Sequence, residues 1–315
     1  MGKTAFIFPG QGAQKAGMGK DFYEAFPVCR EVFEEASKAS GLDIPALCFE
    51  ENDRLDLTEY TQAAMVTTCL AMTRVAESKG LKADITAGLS LGEYPAIAAA
   101  GGMNDMDAIR LVRKRGILMQ NTVPAGEGAM CAVISMAAEE IEKVIEPIAD
   151  VSVANYNCPG QIVITGKTDA VEEAAAKLKE AGARRTIMLN VSGPFHSQML
   201  VPAGEKLAEE LEHTRFHELR IPYVTNVTAE KVTDIRETPG LLTTQISSPV
   251  RWMQSMERMI ADGVDTFVEI GPGKTLEGFL RKIDRSVKVF HISQWEDVDK
   301  VCTELADSGK MMEEA

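Results

Sequence analysis

The spacing of apolar residues changes period several times along the chain, and the changes divide it. Residues 4–8 form a short apolar run that predicts a buried strand. It ends in Pro9-Gly10-Gln11-Gly12-Ala13-Gln14, whose glycines let the backbone approach a ligand closely. Residues 27–39 and 61–79 have helical spacing, each followed by a glycine, Gly41 and Gly80, where a C-terminal cap belongs. They predict sheet-covering helices. Residues 83–87 predict a second strand, which runs through Gly88-Leu89-Ser90-Leu91-Gly92-Glu93 into an alanine-rich helical stretch. Asn104 or Asp105 caps a further helix through Asn121, with an apolar stripe that includes Ile109, Val112, Gly116 and Met119. Arg113 and Arg115 flank that stripe on opposite sides, and periodicity does not choose which guanidinium faces a cleft.

From about Gly126 the pattern is different. Residues 129–135 predict a strand, 138–148 a helix, 151–155 and 162–165 two strands, 169–181 a helix and 186–191 a last strand. The succession βαββαβ is that of a ferredoxin-like unit. Cys158-Pro159-Gly160 places Pro and Gly at the centre of a type II turn between the two middle strands. Beyond this unit, 199–212 predict a helix and 221–227 a strand. Ser248 and Pro249 read as N-cap and first-turn proline of a helix to about Asp262. Residues 266–270 and 287–292 predict strands separated by the turn Gly271-Pro272-Gly273-Lys274, and 309–315 read as a frayed end. Strands alternating with helices on both sides of the unit predict an α/β large domain with a mainly parallel sheet. The expected division is 1–125 and 196–315 for the large domain, with 126–195 inserted as the small one.

Composition narrows the class. At 315 residues the chain has room for two domains or one domain with an insertion, and no apolar run approaches the length of a membrane span. The six cysteines are scattered without a C-x-x-C pair, which argues against a zinc site or a disulfide framework and for reduced thiols in the cytoplasm. No metal is expected. A formal net charge of -14 disfavours nucleic acid and anionic membranes as partners. An acidic partner needs a local basic patch, for which Arg113-Lys114-Arg115, Arg184-Arg185 and Arg281-Lys282 are the candidates.

The chemistry centres on Gly88 to Gly92. In a Gly-x-Ser-x-Gly elbow between strand and helix, glycines tolerate the strained turn and the serine Oγ stands exposed near the free N–H groups of the next helix. Ser90 is so placed for attack on an acyl carbon. It needs a general base, for which histidine has the matching pKa. His291 sits in an apolar strand, and His213 and His217 share a charged helix-like face. His196, in Gly193-Pro194-Phe195-His196-Ser197, lies where the chain crosses back between domains, and interdomain clefts are where ligand sites concentrate. It is the preferred base. The Gly10 to Gln14 loop fits neither the Rossmann nor the P-loop pattern.

Taken together, these motifs resemble the malonyl-CoA:acyl carrier protein transacylase family over almost the whole chain. Phe8 to Gln14 matches its N-terminal Gly-Gln-Gly-x-Gln loop and Gly88 to Glu93 its elbow. Arg115-Gly116 with Met119-Gln120 matches the helix carrying a substrate-binding arginine, and His196 matches the catalytic histidine. Gln245 with Pro249, Val250 and Trp252 matches the segment that orients the histidine, and Glu269 to Lys274 the late glycine turn. The elbow departs from the family at Leu89, where histidine is usual, and no role is carried over to that position.

The resemblance implies an α/β-hydrolase-like large domain with the ferredoxin-like insert. It implies a two-step transfer of malonyl from malonyl-CoA, through a malonyl-serine, to the phosphopantetheine thiol of an acyl carrier protein, with coenzyme A thioester as substrate and no bound cofactor. Backbone N–H groups of Gln11 and Leu91 then form the oxyanion hole, and Arg115 binds the free malonyl carboxylate. Gln245 orients His196 through a nearby carbonyl, and Phe195 limits bulk at the acyl α-carbon. Asn155, Asn157 and Gln161 are cleft candidates from the small domain. A hydrolase using the same elbow, and a noncatalytic carrier-protein-binding subunit, are the competing readings.

Overall fold

Alternation along the first strand sets the layers. In a computed structural model that describes residues 2–307, β1 (Lys3–Phe8) sends Phe6 and Phe8 into one buried cluster and Ala5 and Ile7 into another. A strand buried on both faces belongs in the middle of a parallel sheet. There β1 pairs in parallel with β2 (Ile85–Gly88) on one side and β9 (Val264–Ile270) on the other. β10 (Lys288–Ile292) adds to β9, β7 (Tyr223–Val224) adds to β2, and β8 (Lys231–Val232) closes that edge antiparallel. The helix Thr58–Ser78 places Val66 and Leu70 in the cluster of Phe6 and Phe8. Helices Trp252–Ala261 and Thr275–Ile283 place Trp252, Met256 and Leu276 with Ala5 and Ile7. Helices therefore cover both faces.

A second sheet of four strands, all paired antiparallel, comes from β3 (Gly128–Ile134), β4 (Val151–Cys158), β5 (Gln161–Lys167) and β6 (Arg185–Met188). Their spatial order is β4-β5-β3-β6. Helices Ala138–Ile145 and Thr168–Glu180 bury Ile141, Val171 and Leu178 against Val133 on one face. The other face turns Met130, Ala132 and Val163 into the large cluster, so this sheet roofs the carboxyl end of the parallel one. Pro159 and Gly160 make the β4–β5 turn, with Gly160 at φ 72° as a type II turn requires. The six cysteines are free, and no described helix is long and apolar enough to cross a membrane.

Several expectations need correction. No helix begins at Pro249: it begins at Trp252, because Val250 is held extended against β4, donating to Ala154 O at 2.8 Å and accepting from Tyr156 N at 2.9 Å. This tertiary pairing overrides the local Ser-Pro signal. The strand expected over 221–227 is only Tyr223–Val224, after which the chain turns to present Asn226. His213 and His217 share no helix face, since that helix ends at Glu212, with His213 exposed and the His217 N–H donating to Gly102 O. Helix Thr238–Gln245 escaped the pattern because Thr-Pro-Gly-Leu-Leu-Thr-Thr-Gln has no one-sided apolar stripe. The expected fraying of 309–315 lies outside the described residues.

The elbow glycines also serve differently from expectation. Gly92 has φ -63°, and a Cβ there would sit 2.2 Å from the Phe8 carbonyl oxygen; one on Gly88 would sit 1.8 Å from the Gly92 oxygen. Space, not a left-handed backbone, demands glycine. We expect Gly92→Ala to destabilise the protein by at least about 2 kcal/mol in urea unfolding, because backbone rather than a side chain must yield. A loss below about 0.5 kcal/mol would contradict this packing.

Candidate active site

Strand register builds the site. Phe8 pairs with Gly88, so β1 and β2 end level and the Pro9–Gln14 loop leaves beside the elbow. β7 ends next to β2, bringing Asn226 to the same edge. Carboxyl ends of adjacent parallel strands are where open α/β sheets hold ligands.

Ser90 begins a single 3-10 turn, Ser90–Gly92, before the helix Glu93–Ala99, and its φ is 52°. A left-handed serine costs about 1–2 kcal/mol and needs support. Asn226 supplies it: the Ser90 N–H donates to Asn226 Oδ1 at 2.7 Å, and Asn226 Nδ2 donates to the Gly88 carbonyl at 2.7 Å. Leu89 contributes through its backbone, donating to Phe8 O at 3.0 Å and accepting from Gly92 N at 2.9 Å, while its side chain lines the cavity. The turn thus makes no demand for a histidine at that position.

His196 also has a left-handed backbone, φ 63°, and its N–H donates to Ile246 O at 3.1 Å. Its Nδ1 lies 2.9 Å from the Gln245 carbonyl oxygen and its Nε2 lies 2.7 Å from Ser90 Oγ. A carbonyl only accepts, so Nδ1 carries the proton and the Nε2 lone pair faces the serine hydroxyl. Burial, and after it the Arg115 charge, push the imidazole pKa down from 6.5 to about 4.

Arg115 is 1% exposed, and none of the described ion pairs includes it. Its Nη1 donates to Gln62 Oε1 at 3.0 Å, and its Nη2 to Gln245 Oε1 at 3.0 Å and toward Ser90 Oγ at 3.4 Å. The guanidinium lies 5.4 Å from the centre of the Tyr94 ring. Its Nε is buried without a hydrogen-bond partner. Burial lowers the pKa, yet a guanidinium remains charged. Arg113, by contrast, turns away to Glu59 at 2.9 Å and to the Tyr60 ring.

Ser90, His196 and Arg115 open into a cavity of about 410 Å³ between the two sheets. Gln11 and Leu91 line it beside the serine, and Phe195, Asn155, Asn157 and Gln161 line it elsewhere. The Gln11 side chain is tied back, donating to Thr58 Oγ1 at 3.0 Å. Lys282 reaches Gln161 Oε1 at 3.5 Å from outside, Arg281 pairs with Glu277, and Arg184 and Arg185 are exposed at the β6 edge. His291 is elsewhere, 2.9 Å from Glu277. Among the described residues no group of three His, Cys, Asp or Glu is arranged to hold a metal ion.

Four contributors have no assignment from sequence: Gln62, Glu93, Tyr94 and Asn226. Glu93 and Tyr94 directly follow the elbow, where an ionisable and a polar aromatic residue enter an alanine-rich helix; that is the one local signal. Gln62 and Asn226 carry none, since each is recognised only by what folds against it.

A serine at a strand-to-helix turn, hydrogen-bonded to a histidine at the carboxyl edge of a parallel sheet, defines an α/β protein with a serine–histidine pair in its cavity. The chain belongs to the family described as the acyl transferase domain, whose model matches residues 5–298. It is 44% identical over 304 residues to the malonyl CoA-acyl carrier protein transacylase of Bacillus subtilis, covering 95% of this chain and 96% of that protein. The crystal structure of the transacylase of that name from Clostridium perfringens superposes with a TM-score of 0.94 at 43% identity, covering 98% of each chain. A malonyl-transacylase solved in complex with a type II polyketide acyl-carrier protein superposes with a TM-score of 0.93 at 37% identity, covering 96% of this chain and 99% of that one.

A histidine with a pKa at about 4 is still a neutral base well below pH 6.5. Protonation on the acid side removes the acceptor that faces the Ser90 hydroxyl, so the reactivity of Ser90 should fall as pH drops. We expect the rate of Ser90 modification by a sulfonyl fluoride to fall with an acid limb near pH 4, and Arg115→Ala to move that limb upward. A limb centred at 6.5 in the native protein would refute the buried, neutral imidazole.

Proposed function

We propose that this chain transfers a malonyl group from malonyl-CoA to the phosphopantetheine thiol of an acyl carrier protein, in fatty acid biosynthesis, through a malonyl ester on Ser90. The observation that carries the reading is the Arg115 guanidinium, charged, buried, held by neutral acceptors and adjacent to the nucleophile. A free carboxylate on the acyl group supplies the missing counter-charge with a two-donor geometry that lysine cannot copy.

In the first half-reaction Ser90 Oγ attacks the thioester carbonyl as His196 Nε2 takes its proton. Backbone N–H groups of Gln11 and Leu91 receive the oxyanion, and the coenzyme A sulfur leaves with the proton from His196. In the second, the carrier's thiol gives its proton to His196 and attacks the seryl ester, and Ser90 regains its proton. The Gln245 carbonyl stabilises the imidazole at Nδ1, so the dyad works without a carboxylate of its own. Phe195 limits bulk at the acyl α-carbon. No bound cofactor enters these steps, and the protein works in the cytoplasm. The reading keeps 126–195 as a ferredoxin-like insert, supported by its strand order β4-β5-β3-β6, in an α/β-hydrolase-like domain formed by 1–125 and 196–315.

Labelled malonyl-CoA should leave label on Ser90 that a pantetheine thiol removes, and Ser90→Ala should abolish it. Rapid loss of the label to water alone would favour a hydrolase. Arg115→Ala should reduce kcat/KM for malonyl-CoA roughly 10²-fold relative to acetyl-CoA, on the scale of a bidentate charge-assisted pair. Unchanged malonyl preference would remove Arg115 from this role.

A further inference from the structure

Glu93 takes no part in the steps above, yet it is fully buried directly behind the nucleophile. Its Oε2 accepts from Gln245 Nε2 at 2.6 Å and from the Asn226 N–H at 3.1 Å. Burial pushes its carboxyl up to about 7, opposed in order by the Gln245 amide, the Thr225 hydroxyl, the Asn226 N–H and the Arg115 charge. A buried acid is an expensive way to fill space, which an apolar side chain of similar size fills without desolvation.

Its neighbour explains the expense. The Gln245 amide has one acceptor and one donor end. Its Nε2 faces Glu93 and also the Ser90 carbonyl at 3.0 Å, which leaves Oε1 for Arg115 at 3.0 Å. A flipped amide would set its oxygen against the carboxylate and the Ser90 carbonyl, and its NH₂ against a cation. The main-chain carbonyl of the same residue holds His196. One glutamine therefore supports both the base and the arginine, and its orientation is dictated from behind.

We propose that Glu93 is a positioning residue: its carboxylate locks the Gln245 amide in the sense that aims Arg115 at the acyl carboxylate. This rests on the function proposed for Arg115 and adds the device that aligns it. Glu93→Gln is close to isosteric but can accept from or donate to Gln245, so the amide loses its enforced sense.

The test compares the native chain, Glu93→Gln, Arg115→Ala and the double variant, at pH 8, with malonyl-CoA and acetyl-CoA as acyl donors. We expect Glu93→Gln to raise KM for malonyl-CoA about tenfold more than KM for acetyl-CoA, the scale of one charge-assisted hydrogen bond, with the smaller effect on kcat. In the Arg115→Ala background the same change should alter the two KM values in equal proportion, since the group Glu93 acts through is gone. Equal losses for both donors in the otherwise native chain, or a malonyl-specific loss undiminished without Arg115, would overturn the inference while leaving the function standing. Arg115→Ala that keeps its malonyl preference would instead remove the function proposed for Arg115, and this inference with it. Should Glu93→Gln not accumulate as folded protein, Glu93→Asp draws the oxygen back from Gln245 and should give the same malonyl-specific rise; its absence overturns the proposal equally.

Discussion

A guanidinium buried beneath Ser90 with only neutral oxygens to receive its protons is a demanding arrangement. Desolvating Arg115 costs several kcal/mol, and no carboxylate is paired with it to offset that. Two glutamine oxygens and the face of the Tyr94 ring share the charge instead. Much else follows from this choice. Gln62 must keep a buried amide oxygen on its helix, Gln245 must point its amide oxygen inward, and His196 is kept neutral partly by the cation beside it. A carboxylate placed directly on Arg115 would be the easy way to satisfy it. It would also occupy the place that the proposed function gives to the free carboxylate of the acyl group. Glu93, removed by one amide, compensates the charge without competing for the guanidinium.

The backbone carries its own strain around that charge. Ser90 and His196, whose side chains meet at 2.7 Å, are both left-handed. Each is held by bonds from segments remote in sequence: Asn226 for the elbow, Ile246 and Gln245 for the histidine. Strain of this kind persists only where the surroundings over-determine it, and here the clamps are main-chain or amide groups with fixed geometry. The pairing of Val250 with β4 ties the Gln245 segment to the roof of the cavity. The same contact erases the helix start expected at Pro249 and holds the small sheet over the site.

The legible and illegible parts of the chain divide along one line. Helices Pro27–Ser40 and Asp105–Asn121 were readable because their caps are local: Gly41 adopts φ 70°, and the Asn104 side chain accepts from the Asp107 N–H. The alternation of strands and helices, and the succession of elements from β3 to β6, were readable for the same reason. Helix Thr238–Gln245 was not, since nothing along it repeats. The choice between Arg113 and Arg115 was equally closed to periodicity, because both leave the same helix on the flanks of one stripe. Packing separates them, sending one to Glu59 and the other under Ser90.

The sequence by itself determined the strand–serine–helix elbow, the placement of His196 after the small unit, and the α/β succession. These are statements about neighbours along the chain, where dihedral preference and hydrophobic period act. Only the tertiary structure decided that Gln245 holds His196 with its main chain and Arg115 with its side chain. It alone placed Asn226 and Glu93 behind the serine and made Gly88 and Gly92 necessary for space rather than for a left-handed turn. Those are contacts between segments as much as 155 residues apart, and no local preference encodes which distant group fills a hydrogen bond. They arise when two sheets close over one buried charge.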